Sequence, residues 1–296
     1  DRHGHRADLS FQGVGIGALT LGQACLSVLQ TAVPTAKAML ARKVARDWRL
    51  QRLEHRFDTA MPDVPARPER PELLAPRFMP KRRKAGSERA RIAMLHAFAH
   101  IEFVAIDLAF DLVGRFGGQF PREFADEWLR VGADEAMHFA LIERRLRALG
   151  SFYGAHPAHD GLWEAAFSTR NDVLARLAVV PMVLEARGLD VTPATIARFA
   201  AQGDSASARI LNRIYNDEIR HVSVGTRWFE SACREAGVNH LVHWKSAVES
   251  HVRGALKPPF NDSARSKAGL SRDYYAWVAM PEADPQTGLN NKGWSE

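Results

Sequence analysis

From Ser87 to about Gly237, apolar residues recur every three to four positions, the period of helices that bury one face. Glycine and proline divide this run. A first helix is expected from about 87 to 115, stopped by the glycines of "FGGQFP", with Pro121 suited to the first position of the next. A second runs from about 121 to 149 and stops at Gly150, and a third runs from about 161 to 187, where Gly188 interrupts it. Thr192 and Pro193 read as the cap and first turn of a short helix, and Asp204 as the cap of a long fourth helix ending before Gly237. Residues from about 18 to 56 also read as helical, with a break at Pro34. One further amphipathic helix and a tail follow the body. The fold class is all-α, with three parts: an N-terminal extension and arm (1–86), a four-helix body (87–237), and a C-terminal helix and tail (238–296).

Four apolar stripes in that body carry ionisable groups. Glu102 lies among Leu95, Phe98, Ala99, Ala105, Ile106 and Ala109, while Glu185 lies among Leu177, Ala178, Pro181, Met182 and Leu189. The stretch "GADEAMHF" places Glu135 and His138 on one helical face, and "YNDEIRHV" does the same for Glu218 and His221. Trp128, Val131 and Ile142 flank the first pair; Leu211, Ile214 and Tyr215 flank the second. One Glu-x-x-His is weak evidence of a site, but two, each preceded by aspartate, are stronger.

The spacing repeats. Glu102 and Glu135 are 33 residues apart, and so are Glu185 and Glu218. In the first half the midpoint falls in the turn at Gly118 and Gln119, which returns both glutamates to one depth of an antiparallel hairpin. Leaving a carboxylate unpaired in a core costs several kcal/mol. The stripes hold almost no lysine or arginine, so a cation is required. Four carboxylates and two imidazoles suit a pair of iron or manganese ions better than zinc.

This pattern resembles the ferritin-like di-iron carboxylate proteins, in which two helices each give one Glu and two give Glu-x-x-His. The resemblance covers about Ser87 to Gly237 and implies a ferritin-like four-helix bundle with additional N- and C-terminal helices. It implies a metal-ligand set of Glu102, Glu135, His138, Glu185, Glu218 and His221, the four glutamates doubling as the catalytic carboxylates. It further implies that Asp134 and Asp217 hold the ligand histidines by their other ring nitrogens. Tyr215, one turn before Glu218, is a candidate to bond a ligand carboxylate or relay electrons, against the alternative of a core tyrosine with a satisfied hydroxyl. More narrowly, "PRFMPKRRKAGSERARIAMLHAFAHIE" and "LKPPFNDSARSKAGL" resemble the bacterial family called domain of unknown function 455, a name that implies no activity.

Other polar groups read more plainly. His96 and His100 point away from the Glu102 face and are expected to be packing or surface histidines, like His156 and His159 in their loop. Trp128 and Trp228 read as core. Pro181 and Gly188 bracket Glu185, so the backbone there is expected to be irregular, and small molecules to reach the metals at that point.

Formal net charge is +6, and 15 basic against 7 acidic residues fall between Ala41 and Arg91. Within that arm, Lys81, Arg82, Arg83 and Lys84 are candidates to bind an anion such as RNA, although a basic run is more often a solvated linker. Cys25 and Cys233 lie far apart in no metal-binding spacing, which suits buried thiols and a reducing cytoplasm. The apolar window "FQGVGIGALTLGQACLSVL" is a poor membrane span, so no membrane association is expected, and the chain is read as a monomer or dimer.

The function these features imply is an oxidoreductase with two Fe ions, or Mn or mixed Fe/Mn, that activates O2, a hydroxylase or monooxygenase similar to the ferritin-like hydroxylase of isopentenylated adenosine in tRNA. The alternative is a ferroxidase or peroxide-scavenging metal-binding protein with no organic substrate. Substrate and electron donor are not encoded in any feature above.

Overall fold

A computed structural model describes residues 18–80, 86–252 and 254–279. Among these residues the only β-pairing is two isolated bridges, Thr20 with Glu54 and Leu73 with Ala158. Everything else regular is helical.

Four helical runs form the body. The first is α3 (Glu88–Phe116), capped by Ser87, whose hydroxyl accepts the Ala90 N–H at 3.2 Å. By composition α3 is apolar enough to cross a membrane, but 67% of its most apolar window is buried inside the protein. After a short turn, α4 (Arg122–Ala148) runs back along it, with Pro121 as the cap rather than the first helical residue. Close approach of the two depends on Gly132, since a Cβ there would sit 2.6 Å from the Phe110 ring. The last run is α8 (Ser205–Ala236), started by Asp204, which accepts the Ser207 N–H at 3.0 Å, and stopped by Gly237 at φ +68°. That left-handed conformation is one glycine adopts without a Cβ penalty.

The third run departs from the expected pattern. It begins as α5 (Gly161–Ser168), breaks, and restarts as α6 (Val173–Val179), where the Asp172 side chain accepts the Ala175 N–H. A π-helical segment, Val180–Glu185, then feeds directly into α7 (Ala186–Ala201). Gly188 does not interrupt it, and Thr192 and Pro193 lie inside α7 rather than starting a helix. The reason lies 70 residues away. Proline at 193 supplies no N–H to the Leu189 carbonyl four residues earlier, and the Asn261 side-chain amide donates to that carbonyl instead, at 3.0 Å. The irregular backbone expected near Glu185 is the π segment around Pro181.

Upstream, α1 (Leu21–Leu29) and α2 (Pro34–Arg49) share one hydrophobic core with the body. Helical structure stops at Arg49, short of residue 56. The arm that follows is stitched to the body by backbone: Leu74 donates to the Ala158 carbonyl and Ala158 to that of Glu72, at 2.8 and 2.9 Å. Downstream, α9 (His240–His251), α10 (Asp262–Lys267) and α11 (Arg272–Tyr275) cover α6, α7 and α8.

Helix α2 is locked to α3 by a fully buried ion pair, with Lys37 Nζ 2.5 Å from Asp107 and 3.1 Å from the Ala66 carbonyl. Burial pushes the lysine pKa down and the aspartate pKa up, and each partner's charge opposes that shift. Removing Asp107 strands Lys37, and removing Lys37 leaves Asp107 with only Arg67 at 3.7 Å. Lys37→Met is therefore expected to lose about 3–5 kcal/mol in urea denaturation, and the double variant with Asp107→Leu to recover most of it. A single variant as stable as one at an exposed position such as Met39 would contradict this account.

Candidate metal centre

Glu102 comes from α3, Glu135 and His138 from α4, Glu218 and His221 from α8, and Glu185 ends the π segment. Glu102, Glu135 and both histidines are buried, while Glu218 keeps 13% of its side chain exposed. One ligand atom from each of Glu102, Glu135, His138 and Glu218 lies within 4.8 Å of all the others.

The two imidazoles are arranged alike around Glu135. His138 Nδ1 is 3.1 Å from Glu102 Oε2 and 3.2 Å from Glu135 Oε2. His221 Nδ1 is 2.9 Å from Glu135 Oε1 and 3.2 Å from Glu218 Oε1. Each oxygen of Glu135 thus faces a different histidine. The far nitrogens are held crosswise: His138 Nε2 bonds Asp217 of α8 at 3.0 Å, and His221 Nε2 bonds Asp134 of α4 at 3.2 Å. Arg213 in turn bonds Asp217 at 2.9 Å, and Arg220 bonds Asp134. An ionised carboxylate only accepts, so each Nε2 carries the hydrogen and each Nδ1 is left to face the glutamates.

Charge in this cluster is unbalanced. Burial raises the pKa of Glu102, and the Glu135 charge raises it further; burial and the charges of Glu218 and Glu135 do the same for Glu185. Burial alone would raise Glu135, but His221 and His138 outweigh it and hold that carboxyl below its usual range. His138 responds in kind: burial disfavours its charge, yet hydrogen bonds that it donates to Asp217, Glu102 and Glu135 push it up to about 12. His221 is raised for the same kind of reason, by Glu135, Glu218 and Asp134. Among the described residues, the arginines here pair with Asp134 and Asp217, and protons on the histidines are the positive charge that reaches the glutamates.

A bound cation fits this donor set. Among the described residues, none of the four glutamates has a lysine or arginine within 4.0 Å. Glu185 Oε2 and His221 Nδ1 are buried without a hydrogen-bond partner, the latter with carboxylate oxygens of Glu135 and Glu218 at 2.9 and 3.2 Å. Elsewhere the protein does provide a cationic side chain for a buried carboxylate. Asp111 has Arg176 at 2.7 Å and Arg115 at 2.9 Å, and Asp190 has Arg265 at 2.6 Å. A buried Glu/His cluster without such partners is one that could hold metal.

The remaining sequence candidates fall outside the cluster. The Tyr215 hydroxyl accepts from Asn261 at 3.1 Å rather than bonding a ligand carboxylate. His96 and His100 are buried: His96 accepts the Gly154 N–H, and His100 lies between the Tyr153 hydroxyl and the His159 carbonyl. Burial pushes His100 down to about 3, so it stays neutral. Trp228 donates to Glu127 at 2.6 Å. Lys81, Arg82, Arg83 and Lys84 lie outside the described residues. The arginines that brace the aspartates were missed in the sequence, although Arg213 and Asp217 stand four apart on one helical face. Asp107 and Asp111 were missed too: Lys37 and Arg176 come from distant segments, although Arg115 stands only four residues from Asp111.

A family described as "Protein of unknown function (DUF455)" matches residues 30–276. The chain belongs to this family. It is also similar to an "Uncharacterized protein" of Haemophilus influenzae, 39% identical over 222 residues, covering 73% of this chain and 77% of that one. No solved structure matches it.

Metal ligation requires the imidazole Nδ1 atoms and carboxylates without their protons. His138, His221, Glu102 and Glu185 are all shifted toward the protonated form, so divalent metal binding at pH 7 should release protons, and affinity should fall as pH is lowered. Calorimetric titration with Mn2+ in two buffers of different ionisation enthalpy measures this directly. Binding heats that are the same in both buffers would contradict it.

Proposed function

We propose that this chain is a di-metal carboxylate oxidoreductase of the ferritin-like type, with two iron ions, or iron and manganese, that activates O2 and hydroxylates an organic substrate. The supporting observation is the division of Glu135 between two imidazoles, each braced from behind by an aspartate of the opposite helix. Glu102, Glu135 and His138 would hold one ion, and Glu135, Glu185, Glu218 and His221 the other. When bound, such a pair supplies redox chemistry with O2 that side chains alone lack.

The chain's own contribution is positional and electrostatic. Asp134 and Asp217 fix the tautomer and angle of each histidine, and Arg213 and Arg220 keep those aspartates oriented. The apolar stripes of α3 and α4 exclude water on one side, while the partial exposure of Glu218 leaves the other side open to solvent. Pro181 and the π segment give Glu185 a backbone that departs from the α-helical repeat, as π-bulges at functional sites do.

A second reading, a ferroxidase or peroxide-removing protein, draws support from the cavity beside Glu185. At about 10 Å³ it admits a water-sized molecule rather than an organic substrate.

Anaerobic loading with Fe2+ is expected to return about two equivalents per chain by elemental analysis. Admitting air should then oxidise both ions, followed by the optical spectrum. Because it faces both histidines, Glu135→Ala should lose both equivalents, whereas Glu102→Ala should keep about one. Full retention of both ions in Glu135→Ala would sink the proposal.

A further inference from the structure

The small cavity beside the π segment has walls from three parts of the body: Leu108 and Leu112 of α3, Val131 of α4, and Pro181. Its position is set by close packing on the other side of the proline, since a Cβ on Gly225 of α8 would meet the Pro181 ring at 2.4 Å. Three polar side chains also line it: Arg176, Trp128 and Glu185.

Arg176 is already engaged, at every nitrogen. Its Nε donates to Thr169 at 3.0 Å, and its two terminal nitrogens donate to Asp111 and to the Ala166 carbonyl, both at 2.7 Å. The other two are not. Trp128 is 2% exposed, yet its Nε1–H has no hydrogen-bond partner, and Glu185 Oε2 is likewise buried without one. A buried indole N–H ordinarily finds an acceptor, and a buried carboxylate oxygen a donor. Here the two residues that carry an unanswered donor and an unanswered acceptor both line one cavity of about 10 Å³, room for roughly one water.

We infer that Trp128 and Glu185 form a binding subsite for a single small hydroxylic molecule, one that accepts from the indole N–H and donates to the carboxylate, namely water or hydrogen peroxide. Both have an oxygen acceptor and an O–H donor on a body small enough to enter. Dioxygen, which has no hydrogen to donate, would leave the Glu185 oxygen unanswered. The apolar walls select by size, and the two polar atoms select by hydrogen bonding. Trp128 touches the small ligand, not the proposed metals, so its role is in binding and positioning. The subsite stands on the two orphaned atoms and the cavity. Only its use as an entry point for oxidant rests on the function proposed above.

Nuclear magnetic resonance on metal-free protein labelled with 15N at tryptophan tests this apart from metal chemistry. Of the seven tryptophan indole signals, that of Trp128 is identified by its loss in Trp128→Phe. The expected result is a contact between the Trp128 Nε1–H and a bound water. On titration with hydrogen peroxide, that signal should shift saturably and return when catalase is added. Val131→Ile, which adds a methylene to the wall and leaves both polar atoms in place, should abolish water contact and shift alike. A water contact without a peroxide response establishes the subsite with water as its ligand. A Trp128 signal with neither, in protein whose other indole signals are well dispersed, overturns the inference. Since no metal is present, that failure is distinguishable from loss of the two-metal centre, which the iron stoichiometry reads.

Discussion

Four glutamates and two histidines share one core, among the described residues no lysine or arginine pairs with any of the four glutamates, and the rest of the body is organised around that constraint. Burying carboxylates together is tolerable only if positive charge enters with them. Protons can supply it in part, which is why His138 is pushed up to about 12 while Glu135 is held below the usual carboxylate range. They do so incompletely: Glu102 and Glu185 are driven toward neutrality, and Glu185 Oε2 has no partner. Two cations placed against Glu135 would answer the rest of the set, with Glu185 Oε2 left to the small-molecule subsite. The contrast with Asp111 and Asp190, each ion-paired to arginine in the same molecule, makes the missing lysines and arginines at the cluster a property of the site.

The surrounding structure serves that arrangement. Gly132 lets α3 and α4 approach closely enough for Glu102 and Glu135 to converge on His138. Crossed Asp–His bonds between α4 and α8 make those two helices mutually dependent, so the imidazole orientations are set by packing rather than by either helix alone. On the third run, Pro181 and the π segment bring Glu185 to the cluster and leave a small cavity beside it. The terminal segments contribute at a distance, with Lys37 tying α2 to the back of α3 and Asn261 taking the carbonyl that Pro193 leaves open.

Much of this was legible in the sequence because it is local. The helical period, the cap at Asp204 and the stop at Gly237 are read within a few residues of where they act. The Glu-x-x-His spacing states its own geometry, and the repeated interval of 33 residues relates the two halves. What was not legible depends on residues far apart in the chain. Pro193 reads as a helix start until Asn261 is found beside Leu189, and residues 161–187 read as one helix until Asp172 is seen capping a second. Arg67 looks like a member of the basic arm, but it lies against Asp107 at 3.7 Å, beside Lys37 at 2.5 Å. Trp128 reads as plain core, and only the three-dimensional arrangement leaves its Nε1–H buried without a partner.

The central claim is that Glu135 divides two cation positions. Anomalous diffraction at the iron edge, on crystals soaked anaerobically with Fe2+, examines it most directly. The account predicts two peaks, one between Glu102, Glu135 and His138, the other between Glu135, Glu218 and His221 with Glu185 at its edge. A single peak, or density explained by water alone among those six side chains, would contradict it.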